Sequence, residues 1–115
     1  MAHDIAFYLE LGFDEQSAAY FATGRRRAKK VAARPDKTLL VTFDNDEMRV
    51  YDMGPCIQPG TVFSFLADDD AFRRAYIDEN NDIAWDVDPS IDSKIVWNNK
   101  VDISADTCYL EGTAA

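Results

Sequence analysis

Residues 38–52, with the sequence TLLVTFDNDEMRVYD, decide the fold class of this chain. Leu39, Val41 and Phe43 recur at every second position, which places their side chains on one face of a β-strand. Asn45 and then an aspartate form a turn sequence, and the alternation resumes after it. These residues therefore predict two antiparallel strands joined by a tight turn.

A loop and a short helix are expected after this hairpin. Residues 52–61 contain two prolines and two glycines, so they cannot supply a continuous ladder of hydrogen bonds and are predicted to form a surface loop. The three aspartates at 68–70 are placed to cap a helix that begins near Ala71. A short strand is expected at 76–77, before the turn sequence at 79–82.

The last third of the chain contains two similar triplets of the form Ile-X-Trp. Residues 83–87 alternate in a way that predicts a strand with one buried face and one solvated face. Residues 95–97 resemble the first triplet, and they predict a second exposed strand or a continuation of the first. The tryptophan of each triplet is either a core anchor or an exposed aromatic of an interface. A turn is expected at 104–106, and the tail at 112–115 is expected to be frayed.

Two short helices are predicted at the start of the chain, within residues 1–24. Apolar residues between positions 5 and 9 recur at helical spacing, and Gly12 can end that helix in a left-handed conformation. Asp14 is a good N-cap for a second helix, which Gly24 would end.

The size and composition predict one domain. The chain has 115 residues, of which 47% are hydrophobic and 29% are charged, as is usual for a globular protein. We expect a single domain at 1–115, with a helical N-terminal extension at 1–24 and a core at 29–110. The predicted fold class is α+β, with a small antiparallel sheet of about four or five strands, short helices packed on one face and an N-terminal helix pair.

Hydropathy argues against a membrane protein. The longest uncharged run, 53–67, has fifteen residues and falls short of the roughly 18 apolar residues that a membrane span requires. The first residues lack the basic stretch of a secretory signal. We therefore expect a cytoplasmic protein without a membrane partner.

The charge of the chain is unevenly distributed. The formal net charge is -9. Residues 1–37 contain seven basic and five acidic groups, a balance of plus 2, which leaves five basic and sixteen acidic groups, or minus 11, downstream. The basic run at 25–30 has three interpretations: a solvated edge that pairs with the chain's own aspartates, an arm that docks an acidic protein, or a nucleic-acid contact. The acidic body makes nucleic acid the weakest of the three.

Catalytic and ligand-binding patterns are not found in the sequence. The only histidine, His3, lies near the N-terminus and is interpreted as an exposed residue rather than a general base. Cys56 and Cys108 lie outside any metal-binding spacing and are interpreted as two inert thiols, with a bridge between them left open. No glycine-rich loop precedes a helix. We therefore predict no catalytic residues, no cofactor and no enzymatic activity.

Three carboxylates come closest to a cation-binding pattern, namely those of Asp86, Asp88 and Asp92. Counted from Asp86, the sixth and twelfth positions of a calcium loop would be Ile91 and Trp97, whereas an EF-hand needs Gly and Glu there. We interpret these carboxylates as the solvated outer face of a strand and predict no metal site.

Five segments of the chain together resemble a bacterial family, that of domain of unknown function 2442, over about residues 29–110. These segments are residues 38–52, 72–77, 83–86, 101–106 and Tyr109. The family has a hairpin between a "tLxvxF" strand and a "rxyD" strand, then a short helix, an "I-x-W" strand and a closing "D-I-x-x-D" turn. This chain departs from that pattern at residues 88–100, so either Trp85 or Trp97 matches the family's tryptophan.

The resemblance implies a small α+β domain with an antitoxin-like role and no catalytic residue set. Some members are joined to a helix-turn-helix, but the basic run here follows the second helix instead of lining it, so DNA binding does not carry over.

The predicted function is a non-enzymatic protein-binding module, antitoxin-like, whose partner is a small basic protein. The residues expected to contact it are three aromatics of the helix pair and five cations of the basic run: Tyr8, Tyr20, Phe21, Arg25, Arg26, Arg27, Lys29 and Lys30. The three aromatics have an alternative role, which is to pack the helix pair onto the sheet. A nucleic-acid-associated regulator that uses residues 25–30 and a structural domain of unknown role remain alternatives, and a homo-oligomer is left open.

Overall fold

Two short helices open the part of the chain that the computed structural model describes, residues 4–115. Helix α1 spans Ile5–Glu10 and helix α2 spans Glu15–Thr23. In each case an aspartate precedes the helix and accepts a hydrogen bond from a backbone N–H three residues further on, over 2.9 Å for Asp4 and 2.7 Å for Asp14. The predicted helix pair is therefore confirmed. His3 lies outside the described residues.

Strands and two further helices make up the body. In chain order they are β1 (Ala28–Ala33), β2 (Thr38–Phe43), β3 (Met48–Asp52), α3 (Asp69–Phe72), β4 (Tyr76–Ile77), β5 (Ile83–Asp86), β6 (Lys100–Ile103), α4 (Ala105–Glu111) and β7 (Thr113–Ala114).

The first sheet is antiparallel and has the strand order β1-β2-β3-β7. The predicted hairpin forms β2 and β3, and Asp46 adopts a left-handed conformation (φ 65°) in the turn between them. Leu39, Val41 and Phe43 are fully buried on one face of β2, as their alternation predicts. The α+β class and the four-stranded antiparallel sheet are confirmed.

The C-terminal residues are more ordered than expected. Ser104 accepts a hydrogen bond from the N–H of Thr107 and so caps a full helix, α4, where the sequence predicted only a turn. The expectation of a frayed tail is wrong, because β7 pairs with β3 and places Thr113 opposite Val50. This pairing satisfies part of the outer edge of β3.

The second sheet is antiparallel and has the order β4-β5-β6, so the strands predicted at 76–77 and 83–87 lie in a sheet of their own and not in the single predicted sheet. Ile83, Ala84 and Trp85 of β5 are all fully buried, so the prediction of one solvated face is wrong. Ala84 lies between Tyr76 and Asp102 on the flanking strands, and its methyl group is short enough for longer neighbours to cover.

Residues 95–97 do not form the predicted strand. The N–H groups of Ile95 and Val96 both donate to the carbonyl oxygen of Asp92, over 3.0 and 2.9 Å, so the chain turns there. These bonds use the donors that a strand would offer to a neighbouring strand. The next strand, β6, begins only at Lys100.

One hydrophobic core joins both sheets and the helices of the body. Its largest fully buried side chains are those of Trp85, Phe43, Phe72, Leu39, Met53, Leu66, Ile83, Val41 and Cys108. The predicted loop at 52–61 contains one turn of 3₁₀ helix, Gly54–Cys56, and contributes Met53 to this core. Among the described residues, no helix has the length and hydropathy needed to cross a membrane.

Candidate interaction surface

Helix α1 leaves several of its apolar side chains partly exposed. None of its six residues is buried, although most of them are apolar. Ile5, Leu9, Leu11 and Phe13 are exposed large hydrophobic residues, and Leu11 is 63% accessible. We call these four residues the helix-pair surface. Four exposed large apolar side chains within nine residues are typical of a segment to which another molecule binds.

A series of aromatic contacts connects the helix pair to the core. The rings in order are those of Tyr8, Phe13, Phe21, Tyr20, Tyr109 and Phe43, with centroids 5.0–5.8 Å apart. Of the predicted contact residues, Tyr20 is buried and stacks on Tyr109, while Tyr8 and Phe21 are half-buried. The structure therefore favours the packing role for Tyr20.

Polar contacts of Tyr20 reinforce this attachment. Its hydroxyl donates to the carboxylate of Asp106 over 2.5 Å and accepts from the N–H of Arg26 over 2.8 Å. Arg25 forms an ion pair with the same carboxylate. Burial and the bond to Asp106 raise the pKa of the Tyr20 phenol. Helix α2 is thus tied to the first turn of α4 by a network of four residues.

The basic run is engaged with the chain's own carboxylates. Besides the Arg25 contact, Arg26 lies 3.5 Å from a carboxylate oxygen of Asp44, and Lys29 lies 2.8 Å from one of Asp46. The bond to Asp46 raises the pKa of Lys29. These contacts favour the interpretation of the run as a solvated edge. Within residues 4–115, the remaining two cations of the run form no ion pair: Arg27 and Lys30, both exposed.

A cleft of about 540 Å³ lies beside the basic run. Its other wall contains the turn after β4 and the start of α4, including the carboxylates of Glu79, Asp82 and Asp106. A phosphate group in this cleft would meet these carboxylates as well as the arginines. The cleft is therefore electrostatically mixed and not a phosphate site.

A cluster of three aspartates lies where the turn between β4 and β5 meets β6. Oxygen atoms of Asp78, Asp82 and Asp102 come within 4.8 Å of one another. Asp78 is already bound by the ammonium group of Lys100 at 3.0 Å and by two backbone N–H groups. Asp82 accepts from the N–H of Ala105 over 2.8 Å, and burial raises its pKa. These bonds give the cluster a structural role in holding the turn after β4.

The three carboxylates that the sequence singled out for a cation do not converge on a shared site. Asp86 accepts from the hydroxyls of Tyr76 and Ser93, over 2.8 and 2.6 Å. The carboxylate of Asp88 accepts a hydrogen bond from the backbone N–H of Ser90, and that of Asp92 accepts one from the N–H of Lys94. Asp88 and Asp92 therefore stabilise turns of their own loop, whereas Asp86 links β5 to β4 and to that loop.

The loop at 87–99 holds the second exposed apolar surface. Ile95 and Trp97 are 81% and 82% accessible, which makes them the two most exposed of the large hydrophobic residues described. The base of the loop is closed by Asn99, whose side chain is hydrogen-bonded to three residues of the loop. We call residues 95–97 the apolar tip. The sequence left open whether Trp97 is a core or an interface residue, and the structure excludes the core.

No sequence pattern indicates the contact roles of Asp106, Tyr109 and Asn99. Asp106 meets Tyr20 across 86 positions, and such a long separation leaves no periodic signal. Asn99 is one of two adjacent asparagines, of which only one is buried. Only the folded chain distinguishes the two.

Comparisons of the chain with protein-family models, curated proteins and solved structures found no match. The resemblance to the family of domain of unknown function 2442 therefore stays a prediction.

Proposed function

We propose that this chain is a cytoplasmic, non-enzymatic protein-binding module, antitoxin-like, whose helix pair docks a small basic protein. The observation that carries the proposal is the helix-pair surface. The apolar side chains of Ile5 and Leu9 in α1 stay partly exposed, while α2 is fastened to the body by Tyr20 and Asp106. An apolar helix face on a fixed support is a common form of peptide and protein recognition.

Charge favours a basic partner. Residues 1–24 contain four carboxylates and no lysine or arginine, and the whole chain carries a net charge of -9. A basic protein with an apolar groove would complement both properties of this surface. Opposite charge would also speed the encounter of the two proteins.

The state of the two thiols supports a non-enzymatic role. Burial raises the pKa of the Cys108 thiol to about 12, which keeps it protonated and unreactive at neutral pH. Cys56 is a free thiol 3.8 Å from the hydroxyl of Tyr51, and the only histidine of the chain is His3. Within residues 4–115, no lysine or arginine forms a hydrogen bond with either thiol, as the activation of a nucleophile would require.

Affinity capture followed by a measurement with purified proteins tests the proposal. The tagged chain should retain a stoichiometric basic protein from its native lysate, and calorimetry on the two purified proteins should give their dissociation constant. Changing both Leu9→Ser and Leu11→Ser should weaken that affinity by roughly tenfold or more, because apolar contact at the centre of an interface is lost.

Two control variants define the surface. Val62→Ser removes an apolar side chain elsewhere that is more exposed than either leucine, and it should leave the affinity unchanged. The double change Arg27→Ala and Lys30→Ala removes the two exposed cations of the run that form no ion pair within residues 4–115. Loss of binding in that variant alone, or recovery of nucleic acid instead of a protein, would contradict the proposal.

A further inference from the structure

The apolar tip is displayed by a loop that is held from below. The side-chain amide of Asn99 donates to the carbonyl oxygens of Asp88 and Ile91 and to the hydroxyl of Ser93, over 3.0, 3.2 and 3.0 Å. Its side-chain oxygen accepts from the N–H of Asp88 over 2.9 Å. Asn99 itself is buried. One side chain thus fixes both arms of the loop.

Backbone bonds hold the loop from its two ends. The N–H of Val87 donates to the carbonyl oxygen of Asn99 over 2.7 Å, which continues the pairing of β5 with β6 by one step. The N–H groups of Ile95 and Val96 close the turn at Asp92. A tip on such a loop has lost most of its freedom before any contact is made, which reduces the entropy cost of binding.

The tip does not serve the fold. Trp97 is the most exposed large hydrophobic side chain described, and it is absent from the hydrophobic core and from the residues packed against it. An exposed tryptophan next to an exposed isoleucine lowers solubility unless another molecule covers them. Tryptophan is also the residue type most enriched at the energetic centre of protein interfaces.

Charge around the tip selects the kind of partner. Residues 86–99 contain three aspartates and one lysine, a balance of minus 2 in a chain of net charge -9. A second copy of the chain would bring like charge against like charge, which disfavours self-association. A protein whose apolar pocket has a basic rim would match both the indole and the carboxylates.

We propose that the apolar tip is a second docking surface, separate from the helix-pair surface, which inserts Trp97 into an apolar pocket of a basic protein. The inference goes beyond the proposed function, because it concerns different residues. It holds whether the two surfaces bind one protein or two.

Site-specific crosslinking identifies the occupant. A benzoylphenylalanine at position 97 of the full chain should give, on illumination in native lysate, an adduct with a basic protein. The matched control carries the same group at position 62, another highly exposed apolar position, and should not give that adduct. An adduct with a second copy, with nucleic acid or with an acidic protein overturns the proposal, as does the absence of an adduct specific to position 97.

Binding of the purified partner then tests the role of the indole. Trp97→Ala should weaken the affinity by roughly tenfold or more, as for truncation of a residue at the centre of an interface. Val62→Ala should leave it within twofold, and an affinity within twofold for Trp97→Ala would overturn the proposal. The variant should fold normally, because the side chain is exposed.

Fluorine NMR of the chain labelled with 5-fluorotryptophan reports whether the partner contacts Trp97 directly, which a purely structural role of that residue would not show. The chain contains two tryptophans, one fully buried and one exposed, so two resonances are expected. Addition of the partner should shift the resonance of Trp97 and leave that of Trp85 in place. The reverse pattern would show that binding acts through the core and would overturn the proposal.

Two variants distinguish a failure of docking at the apolar tip from a failure of docking at the helix-pair surface. The Leu9→Ser and Leu11→Ser variant leaves the apolar tip intact, whereas Trp97→Ala leaves the helix pair intact. Loss of affinity in only one of them assigns the contact to that surface alone.

Discussion

The two Ile-X-Trp triplets of this molecule have almost the same composition, but one is buried and the other is exposed. Ile83, Ala84 and Trp85 are fully buried at the centre of the second sheet, whereas residues 95–97, with the sequence Ile-Val-Trp, turn away from the body and are exposed. Hydrophobicity and strand propensity do not separate them. The difference in burial comes from the segments that lie beside each triplet.

The first triplet, 83–85, lies between two paired strands, and the indole of Trp85 contacts the rings of Phe63 and Phe72. Residue Ile83 faces Ile77 and Ile103 in register on the two flanking strands. The indole N–H of Trp85 donates to the carbonyl oxygen of Phe72 over 3.0 Å, and its ring stacks on that of Phe72. The second triplet is bounded by a turn and a buried asparagine, so no strand can pair with it. Burial here depends on available neighbours rather than on composition.

The largest effect is expected where the first triplet loses its indole. Trp85→Ala should lower the free energy of unfolding by about 3–5 kcal/mol, because it opens a cavity between the second sheet and α3. Urea denaturation followed by circular dichroism measures this change. Trp85→Phe keeps most of the volume and should recover part of the loss. A cost below about 1 kcal/mol would show that Trp85 does not anchor the core.

The turn that leads into β5 should be the next most sensitive element. Lys100→Met leaves the Asp78 carboxylate buried without its cation, which should cost about 3 kcal/mol. Lys94→Met removes an exposed lysine of the neighbouring loop and serves as the control. Equal losses in the two variants would contradict a role for the buried ion pair.

The pH dependence of the same variant sharpens this test. Burial alone would raise the pKa of Asp78, but hydrogen bonds from the N–H of Asp82 and from Lys100 bring it below its ordinary value. The stability from this group is therefore present above the unfolded pKa and is lost as pH falls through the folded pKa, in the range below about pH 4. Removing Lys100 should make that loss shallower, which denaturation at pH 2–7 would detect.

Asn99→Ala should release the second triplet without unfolding the first. The loss of its four side-chain bonds should cost about 1–3 kcal/mol, because buried partners lose their hydrogen bonds. Hydrogen exchange should speed up at Val87, Ile95 and Val96, while β5 stays protected. Asn98→Ala, an exposed neighbour, is the control. Unchanged exchange in the loop would show that Asn99 does not hold it.

Trp97→Ala should have the smallest effect on stability, within about 0.5 kcal/mol, because the indole is already in water. Urea denaturation of this variant and of Trp85→Ala under the same conditions compares the free energies of unfolding lost in the two triplets. A loss above about 1 kcal/mol would mean that Trp97 packs against the body in solution, and the apolar tip would then not be available for docking.

Much of the local structure followed from short-range patterns. Local contacts determine the alternation at 38–43 and the helix caps at Asp14 and at 68–70. These features involve atoms within a few residues of one another, so the local sequence predicts them. The same reasoning failed at 95–97, because the bonds to Asp92 that turn the chain there compete with strand pairing and have no periodic signature.

The candidate surfaces were only partly predictable. The helix pair was correctly placed, but the exposure of its apolar residues depends on how the aromatic series attaches it to the body. The basic run was visible in the sequence, whereas its contacts with Asp106, Asp44 and Asp46 bring together residues from three separate segments. The interpretation as a self-paired edge therefore needed the tertiary structure.

The sequence by itself determined the α+β class, the helix pair, the central hairpin and the acidic balance of the chain, because these depend on local propensity and on composition. Tertiary structure alone decided that the chain forms two sheets, that the C-terminal residues add a strand beside Val50, and that one Ile-X-Trp triplet is buried while the other is exposed. Each of these outcomes depends on which distant segments compete for the same neighbours, and that competition is settled only when the whole chain packs at once.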